Sequence, residues 1–166
     1  ALQQAFDALA QYTRGSGRDA LKPIDDAVMA AASDAGLRAD LEARLVATLR
    51  STASAPAKEY ACGRLALIGG PAAVLALADL LSNADLAHAA TDALQRMTCH
   101  EAVTALRDSL PRLSGLPLTG AITALGARRD PTSVDRLSAL LSHSEAQIAS
   151  AAASALGDIG SGAAAA

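Results

Sequence analysis

Apolar residues recur along the second half of this chain at a fixed period of 29 to 31 residues. Four columns share the period: Leu65, Leu94, Leu125 and Leu156; Val74, Val103 and Val134; Leu77, Leu106 and Leu137; and Leu81, Leu110 and Leu141. A constant period in this range is typical of a solenoid, in which one supersecondary unit is stacked repeatedly. The pattern therefore predicts a repeat architecture.

Each repeat contains two stretches with helical periodicity. The first carries apolar or small residues at i, i+3, i+4, i+7, i+8 and i+11, as in the stripe from Leu86 to Met97. The second is shorter and has the series Val-x-x-Leu-x-x-x-Leu. We expect helices at 56–68 and 71–82, 85–97 and 100–110, 116–127 and 131–142, and 144–158. This arrangement is three helix pairs and one further helix.

Helix boundaries are marked by residues with known capping preferences. Pro71 and Pro131 occupy the first helical position after Gly70 and Asp130, which act as N-caps. Two stretches have the spacing of a capping box, Thr98–Glu101 and Ser144–Gln147.

The period fades toward the N-terminus. Helices are expected near 2–13, 22–33 and 37–50, with a break at 15–17, and 22–50 is compatible with a degenerate capping repeat. We therefore divide the chain into an N-terminal helical region (1–53) and a continuous solenoid (54–166) of three repeats plus the first helix of a fourth. Residues 159–164 align with 68–73, so the chain is expected to end in the first turn of a missing second helix, as a fragment of a longer array.

Composition favours an all-α fold. Of 166 residues, 51% are hydrophobic but only 2% aromatic, so the apolar material is mostly alanine and leucine. A net charge of −3 argues against a nucleic-acid partner, and no apolar run is long enough to span a membrane. No leader peptide is visible, which leaves both a cytoplasmic and an exported location open.

The repeats resemble the HEAT family, in particular short bacterial repeats related to those of phycobilisome lyases. The resemblance covers about 56–160, and the segments 65–74, 125–134 and 155–160 carry it. More narrowly, 57–67 and 121–141 resemble HEAT segments in multidomain proteins of planctomycete-type bacteria, which often adjoin enzymatic or carbohydrate-binding domains. The resemblance implies a right-handed α-solenoid that binds other proteins along a curved surface lined by its second helices. The chain departs from the pattern at Arg128 and in the longer loop at 111–117.

Two short motifs contain residue types that can carry chemistry. His100-Glu101 is similar to the iron-binding pairs of HEAT-like deoxyhypusine hydroxylases, but His88 and His143 are not followed by glutamate. Cys99 and His100 are adjacent on one helix, so their side chains diverge by about 100°. We expect Cys62 and Cys99 to be free thiols, and we assign no catalytic, cofactor-binding or metal-binding residue.

Charged residues offer two further candidates. Arg128-Arg129-Asp130 could bind an anion at a helix N-terminus; we favour Asp130 as a cap, with the arginines solvated or bound to carbonyls that end the preceding helix. A basic, aromatic-bearing face like that of HEAT-like DNA glycosylases is missing from the pattern. The best candidate partner surface is the mixed column Arg107, Asp108, Asp135 and Arg136, although a solvated helix face would have the same sequence.

These observations favour a non-catalytic protein-interaction or scaffold module. The alternatives are a HEAT-like lyase or other chromophore- or cofactor-handling protein, and a structural spacer beside an enzymatic domain. No cofactor is implied. The partner could be another protein or another domain of the same polypeptide.

Overall fold

The computed structural model describes the backbone of residues 1–164 and the side chains of residues 1–160, and it is all-helical over this range. The α-helices are α1 (Leu2–Ala10), α2 (Lys22–Ala30), α3 (Ala35–Arg50), α4 (Ala55–Ile68), α5 (Pro71–Leu80), α6 (Ala87–Arg96), α7 (His100–Ser109), α8 (Gly115–Ala127), α9 (Val134–Leu140) and α10 (Ala146–Ala164). Three short 3₁₀ turns lie at Asp19–Leu21, Leu110–Arg112 and Pro131–Ser133. The all-α prediction is thus confirmed. None of the described helices is both long and apolar enough to cross a bilayer.

The helices pack mainly on the helices two positions further along the chain. The first helices of the units, α4, α6, α8 and α10, form one series in which each contacts the next, and α2 joins this series through α4. A second series runs from α3 through α5 to α7, and α9 packs against α10. One continuous set of buried apolar residues extends from Ala5 to Ile159. The core therefore follows the chain rather than gathering distant segments.

Ten residues of the periodic columns belong to this core. Leu65, Leu94 and Leu125 are fully buried, as are their second-helix counterparts Leu77, Leu106 and Leu137. The last unit differs, because Leu141 on its second-helix side is 47% exposed where its equivalents are buried. Burial at one column thus depends on the neighbouring unit as well as on the residue type.

Some predicted boundaries are wrong. The capping box at Thr98–Glu101 does not form, since Cys99 is the N-cap of α7 and makes no side-chain cap bond. The helix expected from residue 85 begins at Ala87, because the Asn83 side chain accepts the amide of Leu86, 3.1 Å away, and holds a turn there. The Ser144–Gln147 box was expected to start a helix at 144, but α10 begins at Ala146.

The last helix is longer than expected. Instead of ending near residue 158, α10 continues to Ala164. At the equivalent place α4 is ended by Gly69 and Gly70 followed by Pro71, which cannot continue a helix. The C-terminal segment has glycines but lacks the proline, and glycine alone costs only about 1 kcal/mol in a helix. The first turn of a second helix that we expected within 159–164 is therefore wrong, and residues 165–166 lie outside the described residues.

Glycine is required at two close approaches. A Cβ on Gly69 would lie 2.6 Å from the carbonyl oxygen of Leu65 in the same turn. On Gly126 a Cβ would lie 2.7 Å from the Cα of Ala155, so α8 and α10 pack with almost no side chain between them. The small residues of the first helices therefore set the spacing of that series.

Arginine side chains connect neighbouring helices at their C-terminal ends. The last carbonyls of a helix have no partner within it and are satisfied by side chains. Four arginines do this between helices. Arg38 donates to Ile68 O (3.1 Å), Arg112 to Ala78 O (3.2 Å) and Arg136 to Arg107 O (2.7 Å). Arg128 donates to several carbonyls at the end of α6, beginning with that of Leu94. These bonds fix the register between successive helices.

Candidate functional site

The mixed charged column predicted as a partner surface is divided between the interior and the surface. Arg107 on α7 points toward the N-terminus of the next second helix, where its Nε lies 3.0 Å from Asp130 Oδ2. The two side chains are only 13% and 8% exposed. Arg107 is therefore bound within an internal ion pair and presents little surface to a partner.

The other three residues of the column are exposed. Arg136 on α9 pairs with Asp108 on α7 at 3.0 Å, and 47% and 60% of their side chains are accessible. An ion pair this exposed contributes little to stability, about 0 to 1 kcal/mol. Asp135 lies beside it on α9 and faces solvent. The structure thus brings Asp108 and Arg136 together, with Asp135 exposed on the same helix as Arg136.

Repeat register extends this cluster into a larger surface. Asp135 corresponds to Thr104 on α7 and Leu75 on α5, while Asp108 corresponds to Asp79 on α5. Leu75 is 70% exposed, and Asp79 is exposed one turn beyond it. We define the second-helix face as these residues together with Glu101, which lies one turn before Thr104 on α7: Leu75, Asp79, Glu101, Thr104, Asp108 and Asp135.

This face has a single dominant charge. Asp79, Glu101, Asp108 and Asp135 are all exposed, while Arg136 pairs with Asp108 and Arg112 donates to the carbonyl of Ala78 beside Asp79. Leu75 and Asp79 were missed by the sequence analysis. Extending the alignment columns back to α5 would have identified both, because Leu75 lies two periods before Asp135 and Asp79 lies one period before Asp108.

The Arg128-Arg129-Asp130 cluster is used to connect elements. Arg128 donates through Nη1 to the carbonyls of Leu94 (3.1 Å), Gln95 (2.8 Å) and Met97, all at the end of α6. An arginine therefore binds helix-ending carbonyls, but the helix that we expected is wrong. Arg128 binds α6 of the preceding unit rather than α8, the helix directly before it.

Asp130 caps the turn that leads into α9, as predicted. Its side chain accepts the amide of Thr132 (3.4 Å) and the hydroxyl of Ser133, in addition to Arg107. Burial raises the pKa of Asp130, but the hydrogen bonds from Ser133 and Arg107 and the charge of Arg107 outweigh it. The net result is a pKa below the ordinary value of 3.8, so the carboxylate stays ionised.

Arg129 has an unusual backbone conformation. Its φ is +51°, in the left-handed region that glycine normally occupies. The amide of Arg129 donates to Gly126 O (2.8 Å) and that of Asp130 to Leu125 O (3.2 Å), the pattern of a Schellman C-cap. The exposed Arg129 side chain is thus a consequence of the helix end, and the sequence has no glycine there to indicate it.

The two cysteines are free thiols in different environments. Cys62 is fully buried in α4, and burial, together with the nearby charge of Glu59, raises its pKa to about 12. A thiol with this pKa is protonated near neutral pH and is a poor nucleophile. Cys99 is the N-cap of α7, and His100 beside it lies 3.3 Å from Thr104 through Nε2.

The described residues contain no group of three or more histidine, cysteine or acidic side chains arranged to hold a metal ion. Glu101, considered with His100 as a metal pair, is exposed in the first turn of α7. Acidic side chains are favourable there because of the partial positive charge of the helix N-terminus.

A groove of about 500 Å³ lies between two first helices, α6 and α8. Its walls are lined by short and neutral polar side chains, including Thr91, Gln95 and Thr119, with His88 and Asp92 toward one side. The groove is partly open to solvent, and the threonine and glutamine side chains along it can donate and accept hydrogen bonds.

No family model, curated protein or solved structure is significantly similar to this chain.

Proposed function

We propose that the chain is a right-handed α-solenoid of HEAT-like helix pairs that serves as a non-catalytic protein-interaction module. The observation that carries this proposal is the second-helix face, an exposed acidic surface with one large apolar side chain, Leu75, among four carboxylates. It lies on helices held in a fixed relation by inter-unit arginines, so it is a preformed surface rather than a mobile one.

The packing of the helices supports the solenoid part of the proposal. First helices contact first helices, and α3, α5 and α7 contact one another in turn, while the sequence columns repeat at 29 to 31 residues. In a solenoid each unit contacts its neighbours, and the stack leaves an extended surface on the second helices. The alanine and glycine residues of the first helices allow the close spacing that such a stack needs.

Charge indicates the class of partner. The four carboxylates of the second-helix face favour a partner segment with lysine or arginine, and Leu75 can contact an apolar residue beside them. The same charges would repel a phosphate backbone, which argues against nucleic acid as the ligand of this face. We therefore infer a basic, partly apolar protein segment, supplied by another protein or by another domain of the same polypeptide.

The titratable groups support a non-catalytic role. Groups with strongly altered pKa values tend to gather at active sites. Here Tyr60, Cys62 and Asp130 are occupied in separate structural contacts: a hydrogen bond to Asp25, burial in the core, and the cap of the turn before α9. None of the three lies in the groove between α6 and α8.

A binding experiment with matched charge variants tests the proposal. A partner captured by the full chain is identified, purified and titrated against the wild type and against Leu75→Ser/Asp79→Lys/Asp135→Lys. We expect the face variant to bind at least about tenfold more weakly, with a loss that grows at low salt, because attraction to a basic segment is screened by ions.

Asp7→Lys/Asp26→Lys is the control, since these exposed carboxylates lie on α1 and α2 and undergo the same charge change. Its affinity should match that of the wild type. Equal binding by the face variant would overturn the role of this surface. Stoichiometric iron or pigment in the purified protein would overturn the non-catalytic assignment.

A further inference from the structure

A second groove lies at the N-terminal end of the molecule, between the α1–α2 loop and α4. It measures about 360 Å³, within the range of small-ligand sites. The loop contributes Tyr12, Arg14, Gly15 and Arg18, and α4 contributes Pro56, Glu59, Tyr60, Gly63 and Arg64. Both tyrosines of the chain and three of its arginines are therefore in one place.

The loop wall is held by defined contacts. The hydroxyl of Ser54, the N-cap of α4, donates to the carbonyl of Tyr12. A tight turn follows, in which the Thr13 amide donates to Ser16 Oγ at 3.2 Å and Gly15 has a φ of +93°. These contacts fix the backbone on both sides of Arg14.

The α4 wall departs from the repeat pattern at two positions. One period after Tyr60 the first helices carry Ala89, Gly120 and Ala151, and one period after Arg64 they carry Ala93, Ala124 and Ala155. Every other unit thus has a small residue where this groove has a phenol and a guanidinium. Close helix packing explains the small residues but not this pair of exceptions.

Part of the charge in the groove is neutralised internally. Asp25 Oδ1 accepts hydrogen bonds from Arg64 Nη1 and from the Tyr60 hydroxyl, both at 2.6 Å. The Arg64 guanidinium also lies 5.0 Å from the centre of the Tyr60 ring. Arg64 is therefore fixed in orientation and carries little free charge.

The arginines of the loop are not neutralised in this way. Within the described part of the chain, no carboxylate lies within ion-pair distance of Arg14 or Arg18. The Arg18 side chain lines the groove together with Tyr12, and its pKa is raised by Tyr12 and by the charge of Asp25. Glu59 is the one acidic side chain among the groove-lining residues. Two unpaired guanidinium groups thus face one carboxylate in a protein whose net charge is −3.

We propose that this groove binds a phosphate monoester group through Arg14 and Arg18, with Arg64 and the two tyrosines forming its floor. A phosphate monoester carries a charge of about −1.5 to −2 at neutral pH, which two guanidinium groups can balance, and it accepts the paired hydrogen bonds that arginine donates. A carboxylate carries one charge and two oxygens, so it offers two guanidinium groups fewer acceptors than the three oxygens of a phosphate. The site uses elements different from those of the second-helix face, so it does not depend on the proposed interaction function.

The experiment is a titration of the full chain with inorganic phosphate, phenyl phosphate and benzoate at constant ionic strength. NMR or calorimetry measures the binding. We expect saturable binding of both phosphates at the groove and weaker binding of benzoate. Arg14→Gln/Arg18→Gln should weaken phosphate binding about tenfold or more. Both residues are exposed, so folding should be preserved, which circular dichroism checks.

Two further variants make the test specific. Arg50→Gln/Arg129→Gln removes the same charge from exposed positions outside the groove and should bind phosphate as the wild type does. Glu59→Gln removes the opposing carboxylate and should tighten binding severalfold. Equal losses in the two double-arginine variants, or no saturable binding of either phosphate, would overturn the proposal. A phosphoserine peptide that binds more tightly than free phosphate would assign the group to a protein partner, and one that binds equally would assign it to a small molecule.

Discussion

Arg128 replaces an apolar residue at a position that is otherwise part of the core. Its equivalents Ile68, Met97 and Ile159 are all buried. The arginine instead extends to the end of α6, where it satisfies carbonyls that have no partner within their own helix. A hydrophobic contact between units has thus been exchanged for charge-assisted hydrogen bonds.

We predict that Arg128→Ala lowers the free energy of unfolding by about 2 to 3 kcal/mol, because several buried carbonyls lose a charged donor. Arg128→Lys should recover only part of this loss. The ammonium group keeps the positive charge, but it cannot reach as many carbonyls in fixed geometry. Urea unfolding followed by circular dichroism measures both. The neighbouring Arg129→Ala is the control and should change stability by less than about 0.5 kcal/mol; a similar loss in that variant would contradict the assignment.

Asp130 also joins two units through charge-assisted hydrogen bonds, but its side chain is negatively charged and accepts them. It caps the turn before α9 and binds Arg107 of α7. Since folding lowers its pKa, the ionised carboxylate stabilises the folded state above pH 3.8, and this contribution is lost as the pH falls below that value.

Asp130→Asn should therefore lower the unfolding free energy by about 3 kcal/mol at neutral pH, because Arg107 remains buried without a counter-ion. The difference from the wild type should shrink as the pH is lowered below 3.8. Urea titrations at neutral and at acidic pH measure this change. The control Asp135→Asn, at an exposed position of α9, should change the unfolding free energy little at either pH. A loss of stability in Asp130→Asn that does not depend on pH would contradict the account.

At the scale of elements, helices are capped by side chains from neighbouring helices. Glu42 on α3 accepts the amides of Gly70 (2.9 Å) and Ala73 (3.0 Å) at the start of α5. Gly70, the N-cap of α5, has no side chain to do this itself. The negative charge also lies at the positive end of the α5 dipole, where it is favourable.

Replacing Glu42 with alanine should cost about 1 to 2 kcal/mol, the usual price of losing a helix cap. Glu42→Gln should cost less, because both amides donate to the same oxygen, Oε1, which glutamine retains, so only the negative charge is lost. Thermal unfolding gives the ranking. Asp79→Asn, on the solvent side of the same helix, is the matched control; a larger loss there than in Glu42→Ala would show that the cap is unimportant.

The elements were predicted well from sequence wherever period and punctuation agreed. Gly70 followed by Pro71 located the start of α5, and the columns of leucine located the helix pairs. Contacts across units were not predictable in the same way. The pairing of Glu42 with α5 and the binding of Arg128 to α6 join residues about 30 positions apart, and no local rule indicates them. The exposure of Leu75 was not predicted, because the Val-x-x-Leu series indicates only the buried positions beside it.

The whole molecule is proposed to be a stack in which each unit is stabilised by its neighbours. Stability in such a stack is the sum of terms for each unit and each interface, so a local defect should remain local. In a single cooperative core, by contrast, a defect anywhere lowers the protection of the whole. The interface between α8 and α10 suits this test, because Gly126 has no space for a Cβ beside Ala155.

Native-state hydrogen exchange on Gly126→Ala tests the proposed stack most directly. Overpacking at this contact should cost about 2 kcal/mol. The control is Gly157→Ala on α10, where a Cβ would meet no atom within 4 Å, and it should keep or increase protection. For Gly126→Ala we predict that protection falls in α8 and α10 and is unchanged in α1, α2 and α3. An equal loss of protection in all of these helices would contradict the stacked architecture.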